Sequence, residues 1–132
     1  MDLHPGLSAR VELTVTESDT AQAVGSGDVP VLGTPRLIAL AEAATVAATA
    51  ARLAPGATTV GTRIDFEHQA PTAVGRRVTV LATLANIEGR RLVFDIVVRE
   101  GEEQVDIIML THETQEKNLD AAIGRASCRE RV

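Results

Sequence analysis

Between Leu37 and Ala51 the chain reads LIALAEAATVAATAA, with Glu42 its one charged residue. Leu37, Ile38, Ala41, Ala44, Thr45 and Ala48 recur there at helical spacing, so the run predicts a helix buried over most of its circumference. Thr34 followed by Pro35 reads as an N-cap with proline in the first helical position, and Pro55-Gly56 as the stop, which places the helix from Thr34 to about Leu53. Glu42 then has little water to sit in. A buried carboxylate without a partner is expensive and becomes neutral or paired, which is how general acids, bases and nucleophiles are made. The plainer alternative puts Glu42 on a narrow solvent edge of an Ala-rich helix, where glutamate is a good helix former.

So apolar a helix needs a cover, and the flanking patterns supply one. Ala9 to Glu17 alternates Val11, Leu13 and Val15 with polar neighbours, as a half-buried strand does. Residues Met1 to Ser8 read as a flexible start, and Val24 to Gly33, with three glycines and a proline, as an irregular lid loop over the helix start. Beyond the helix the period changes to two, through Thr58 to His68, Arg77 to Glu88, Arg90 to Glu100 and Gln104 to Glu113. Glu88-Gly89 and Glu100-Gly101 sit between these runs as hairpin turns, and Pro71 to Gly75 as a longer connection. One strand, one long helix and four more strands predict an α+β hot-dog fold: a curved antiparallel sheet wrapped round one long central helix. Such a sheet leaves an edge or face for a second copy, so a homodimer is expected.

The chain has 132 residues, enough for one core and too few for an obvious second, and we read 1–122 as a single domain. The last ten residues, Ile123 to Val132, match the translated read-through of a common sequencing-library adapter and read as a non-native tail. That tail carries three arginines against one glutamate, so the rest of the chain is more acidic than the overall charge of −5. With no Trp, no Tyr and only Phe66 and Phe94, the chain has almost no stacking platforms for bases, and its charge repels phosphate backbones, so nucleic acid is not expected as a partner. No apolar run reaches a membrane span and the N-terminus does not read as a signal peptide, so a cytoplasmic protein is expected. A single cysteine, Cys128, excludes a disulfide framework and a cysteine metal cluster.

Four residues carry the candidate chemistry: Thr34 at the helix start, Glu42, Gly61 in the following strand, and His68 at that strand's end. Thr34 and Glu42 are eight positions apart, about 80° from a whole number of turns, so both can border one cavity. The helix N-terminus offers unpaired amides and a positive dipole end, suited to a carbonyl oxygen gaining charge in acyl transfer. Gly61 would let a substrate approach the strand backbone. Taken singly, Thr34 is also a plain cap, Gly61 a bulge and His68 a surface histidine. His112 reads as structural and His4 as part of the flexible start. No motif supports a metal site, a phosphate loop, a GxSxG elbow or a CxxC pair, and no cofactor is expected.

These pieces, in order, resemble the fluoroacetyl-CoA thioesterase family of hot-dog proteins. The likeness runs from Val31 to Glu113 and rests on Gly33-Thr34-Pro35, Glu42, Thr59-Val60-Gly61-Thr62, His68 with Ala70-Pro71-Thr72 and Gly75, Glu88-Gly89-Arg90-Arg91-Leu92 and Thr111-His112-Glu113. The resemblance implies an acyl-CoA thioesterase whose catalytic threonine, glutamate and histidine fall on Thr34, Glu42 and His68. Gly61 and Gly33 would then lie at the substrate, and Arg90 or Arg91 would contact the phosphates of CoA at a subunit boundary. Where the fluoroacetate-specific pattern has phenylalanines in the lid, this chain has Val24, Val29, Val31 and Leu32, which implies another or longer acyl group. The rival readings are a noncatalytic hot-dog module that binds acyl-CoA, and a hydratase. The hydratase pairs an acid with a histidine on one helix, and Pro35 to Leu53 holds no histidine.

Overall fold

The computed structural model describes residues 3–68 and 70–100 and the backbone of 107–118. Its elements are β1 (Ser8–Thr14), a 3-10 turn (Glu17–Asp19), α1 (Ala21–Val24), α2 (Thr34–Thr49), a second 3-10 turn (Ala50–Arg52), β2 (Ala57–Asp65), β3 (Arg77–Glu88), β4 (Arg91–Glu100) and β5 (Ile107–Asn118). The strands form one antiparallel sheet in the order β1-β3-β4-β5-β2, so the first two strands in the chain become its two edges. The expected turn at Gly101 and the tail 123–132 lie outside the described residues, as does the side chain of His112.

Period-two patterning makes the inner face of the sheet. Val78, Val80, Ala82 and Leu84 on β3 alternate with outward neighbours, as do Leu92, Phe94, Ile96 and Val98 on β4, and all eight are buried. Helix α2 lies against β1 and β3, pressing Leu37, Leu40, Ala41, Ala44 and Ala48 onto that face in one hydrophobic cluster. Phe94 is its largest fully buried side chain; truncation to alanine would cost about 3–5 kcal/mol. Gly89 opens the two-residue turn from β3 to β4 with φ 65°, the position where a type II′ turn needs glycine.

Four expectations change. The start of the chain is held from Gly6 onward, by Gly6 N–H to Leu84 O at 2.8 Å and Leu84 N–H to Leu7 O at 2.7 Å, because Leu3 and Leu7 have core to pack on. The cap of α2 is Gly33, with Thr34 already inside the helix, so its hydroxyl is not committed to capping. And α2 is not buried all round: Ala39, Glu42, Ala43, Val46 and Ala47 form an exposed face, with Val46 at 49%. The sheet of one chain covers only the opposite stripe. The last strand also runs on to Asn118, beyond its expected end at Glu113.

The lid is more built than its composition suggested. Gly25, at φ 77°, ends α1, and isolated bridges join Thr20 to Leu32 and Val31 to Ala73. Leu32 is a core residue at 2% exposure, whereas Val29 stands out at 55%. The irregular part is therefore confined to 25–30.

Candidate functional site

Thr34 and His68 meet although 34 positions separate them. The Thr34 Oγ1 lies 2.9 Å from His68 Nδ1, in hydrogen-bond contact, across the gap between the first turn of α2 and the segment leaving β2. Phe66 packs its ring against the imidazole at 5.7 Å and 67°, an edge contact that helps to fix the ring plane. The other ring nitrogen, Nε2, is buried with no hydrogen-bond partner among the described residues. Burial lowers the His68 pKa below the ordinary 6.5, and the Ala70 backbone only partly offsets it. At neutral pH the ring is therefore neutral, with one nitrogen oriented by a hydroxyl and the other left for a substrate or water.

The strand before His68 is irregular where Gly61 sits. Its pairing with β5 shifts between Gly61 and Arg63, so Thr62 is an extra residue in a β-bulge opposite the Thr114 to Glu113 step. Beside the bulge, Thr62, Glu88, Arg90 and Arg91 line a polar recess of about 400 Å³, which gathers both arginines singled out in the sequence. An apolar crevice, lined by Leu32, Leu37, Ala70, Thr72, Val78 and Val98, opens next to the start of α2.

Glu42 stands apart from the pair. It is exposed, lies about 12 Å further along α2 than Thr34 at the helical rise, and its carboxylate makes no hydrogen bond or ion pair among the described residues. The Thr34–His68 contact joins two of the three expected catalytic side chains within one chain, and Glu42 faces outward.

One charged group beside the site escaped the sequence reading. Asp19, 6% exposed, accepts from Arg36 Nε at 2.9 Å, from the Thr16 amide at 2.8 Å and from the Thr16 hydroxyl at 2.9 Å. Burial alone would raise its pKa; the Thr16 amide, the Arg36 guanidinium and the Thr16 hydroxyl outweigh that and hold it below the usual 3.8. The available signal was Thr16-x-x-Asp19, a capping-box spacing.

A five-stranded antiparallel sheet bearing one long helix is the hot-dog fold, and here a threonine and a histidine are joined at the helix start. The family model described as fluoroacetyl-CoA-specific thioesterase matches residues 15–113, a span that includes Thr34, Glu42, Gly61, His68, Arg90 and Arg91, and the chain belongs to that family. The fluoroacetyl-CoA thioesterase of Streptantibioticus cattleyicolor is 39% identical over 75 residues, 57% of this chain and 54% of that protein, so the match spans about half of that relative's length. A solved structure of a fluoroacetyl-CoA thioesterase superposes with a TM-score of 0.86 at 29% identity, covering 96% of this chain and 97% of the other. A thioesterase superfamily member from Thermus thermophilus, at 23% identity, shares the fold with a TM-score of 0.82 over 94% and 93% of the two chains.

Proposed function

We propose that the chain hydrolyses an acyl-CoA thioester to the free acid and CoA, with Thr34, Glu42 and His68 as its catalytic side chains. The observation that carries this reading is the Thr34–His68 bond with its buried, unpartnered Nε2. In the tautomer whose Nδ1–H donates to the Thr34 oxygen, the lone pair of Nε2 takes a proton from water as the water's oxygen adds to the thioester carbonyl. Collapse of the tetrahedral intermediate breaks the C–S bond, and His68 returns the proton to the leaving CoA sulfur. Glu42 supplies the carboxylate in one of two ways: it takes the water's proton in place of His68 and returns it to the sulfur, or it adds to the carbonyl itself, CoA leaving as thiolate, after which water activated by His68 cleaves the acyl–Glu42 anhydride and the proton passes to the thiolate. Amides at the start of α2 face the carbonyl oxygen as it gains charge, with Gly33 at the substrate only through its place as the cap of that turn, and Gly61 leaves room for the thioester.

The exposed apolar face around Glu42 supports a homodimer as the working form. A second copy seated on Ala39, Ala43, Val46 and Ala47 removes Glu42 from water and brings it into a site at the subunit boundary. The recess of Thr62, Arg90 and Arg91 is where we place CoA phosphates. No cofactor is required beyond the CoA that the substrate carries, and the cytoplasm is the compartment this reading implies. A related variant enzyme has been solved with fluoroacetate and CoA. Here the lid is aliphatic, with Val29 at its exposed tip, and we propose a small to medium acyl group other than fluoroacetyl. The test is thiol release from a panel of acyl-CoAs, fluoroacetyl-CoA included, by the wild type and by His68→Ala. Hydrolysis lost with His68 is the expected result. A folded protein that binds acyl-CoA without hydrolysing it would instead be the noncatalytic module.

A further inference from the structure

We propose that Asp19 and Arg36 form a positioning clamp for the reactive pair, holding Thr34 at the azimuth from which it can orient His68. Thr34 is bracketed by two residues bound to one aspartate. On its N-terminal side the Gly33 N–H donates to the Asp19 carbonyl at 2.9 Å; on its C-terminal side the Arg36 guanidinium donates to the Asp19 carboxylate at 2.9 Å. Asp19 is itself fixed, since its second carboxylate oxygen is held by the Thr16 amide and hydroxyl. The neighbouring backbone is stitched to the same segment by Ala21 N–H to Val31 O at 2.8 Å, and to the connection between β2 and β3 by Leu32 N–H to Thr72 O at 2.8 Å. There is no slack on the other side either: a Cβ at Gly33 would stand 2.8 Å from Val24 Cγ2 and 3.2 Å from the Ala21 Cα.

The geometry singles out the first turn of α2 and not the helix as a whole. A brace for stability alone would serve anywhere along a sixteen-residue helix, whereas this one grips the residues on either side of Thr34. Thr34 bonds Nδ1 of His68, and small rotations of a first turn move a hydroxyl by enough to lose a 2.9 Å contact. The mostly buried carboxylate with two sets of donors is what makes the grip stiff: moving Arg36 away would strand a charge that is 6% exposed.

This inference rests on reading Thr34 and His68 as the reactive pair, so one of its two readouts is independent of turnover. The experiment is an NMR titration of the histidine ring protons, together with steady-state hydrolysis of the best acyl-CoA, for the wild type, Asp19→Asn, Arg36→Gln and Arg36→Lys. The expected result in folded Asp19→Asn and Arg36→Gln is a His68 titration that moves up toward that of a free imidazole, because a loosened first turn lets water reach the ring that burial now shields, with kcat reduced on the order of tenfold and KM within about twofold, because a transition-state contact is lost and ground-state binding is kept. Arg36→Lys, which keeps the charge, recovers part of both. An Arg36→Gln protein that folds with wild-type kcat and an unchanged His68 titration overturns the clamp, even if Asp19→Asn fails to fold. If the wild type shows no hydrolysis, the catalytic reading fails, while an unmoved His68 titration still counts against the clamp by itself.

Discussion

At the scale of single residues the chemistry depends on which side chains are spared a structural duty. Thr34 has the type and position of a helix cap, yet Gly33 takes that place and the hydroxyl is free to bond His68. A neutral His68 makes a definite pH prediction. Its folded pKa lies below 6.5, so the imidazole keeps its lone pair below the pH at which a free one is half protonated. The acid limb of kcat/KM is expected to have its midpoint below 6.5, with a plateau through neutrality; a midpoint above 6.5 would remove His68 as the base. The same shift sets the sign for stability. The unfolded chain takes up the proton first as pH falls through 6.5, so this histidine disfavours the folded state progressively until its own lower pKa is passed. Glu42→Gln keeps the size of the side chain and removes its charge. We expect turnover to fall at least a hundredfold with the fold retained, since glutamine keeps the size of the side chain and the Glu42 carboxylate makes no hydrogen bond or ion pair among the described residues. Near-wild-type hydrolysis by this variant would exclude Glu42 from the mechanism.

At the scale of elements the first turn of α2 is where packing and chemistry are least separable. Gly33→Ala should show it. The added methyl meets a flexible Val24 side chain at 2.8 Å, which can yield, and the Ala21 backbone at 3.2 and 3.3 Å, which cannot without moving α1. Overpacking of this kind costs about 1–3 kcal/mol, and Thr34 is the next residue, so activity should fall with stability. Adding Val24→Ala relieves only the first contact, and a partial recovery of the melting temperature is expected; full recovery would mean that the Ala21 backbone shifts freely. Most elements were legible because their patterns are local. The period-two runs located β3 and β4 to within a residue and Pro35 marked the start of α2, whereas its α-helical part stops at Thr49, short of the expected Leu53, with a 3-10 turn carrying the chain to Arg52, and β2 stops at Asp65, short of His68. The Thr34–His68 meeting was anticipated from the order and spacing of family-like pieces, since no periodicity links positions 34 apart. Asp19 with Arg36 went unread for the same reason: seventeen positions separate them, and only the capping-box spacing at Thr16 marked one partner. Glu42 shows the opposite limit. An apolar run reports that a surface avoids water, and says nothing about which surface covers it.

At the scale of the whole molecule that uncovered surface becomes the question. Val46, 49% exposed, sits on α2 with Ala39, Glu42, Ala43 and Ala47, so the outer face of the longest helix is small, flat and apolar around one carboxylate. Strand β2, which leads to His68, is an edge of the sheet, and edges and apolar faces together invite a symmetric partner. A second copy that meets both would bury on the order of 1,000 Å² or more, the scale that stable dimers need. Val46→Lys tests this without replacing Thr34, Glu42 or His68; because its ammonium would lie one helical turn from Glu42 and can pair with it, the oligomeric state and the concentration dependence decide, and not the loss of activity alone. A lysine on that face must either be desolvated in the interface or keep the copies apart. We therefore expect the wild type to sediment as a dimer at micromolar concentration and Val46→Lys to shift toward monomer. Hydrolysis in the variant should fall at least tenfold and recover in part as protein concentration rises, because association by mass action restores the site. A wild type that is monomeric and fully active, or a monomeric Val46→Lys with unchanged turnover, would show that one chain suffices. Glu42 would then have to reach the reactive pair from its own helix, across the roughly 12 Å that separate it from Thr34.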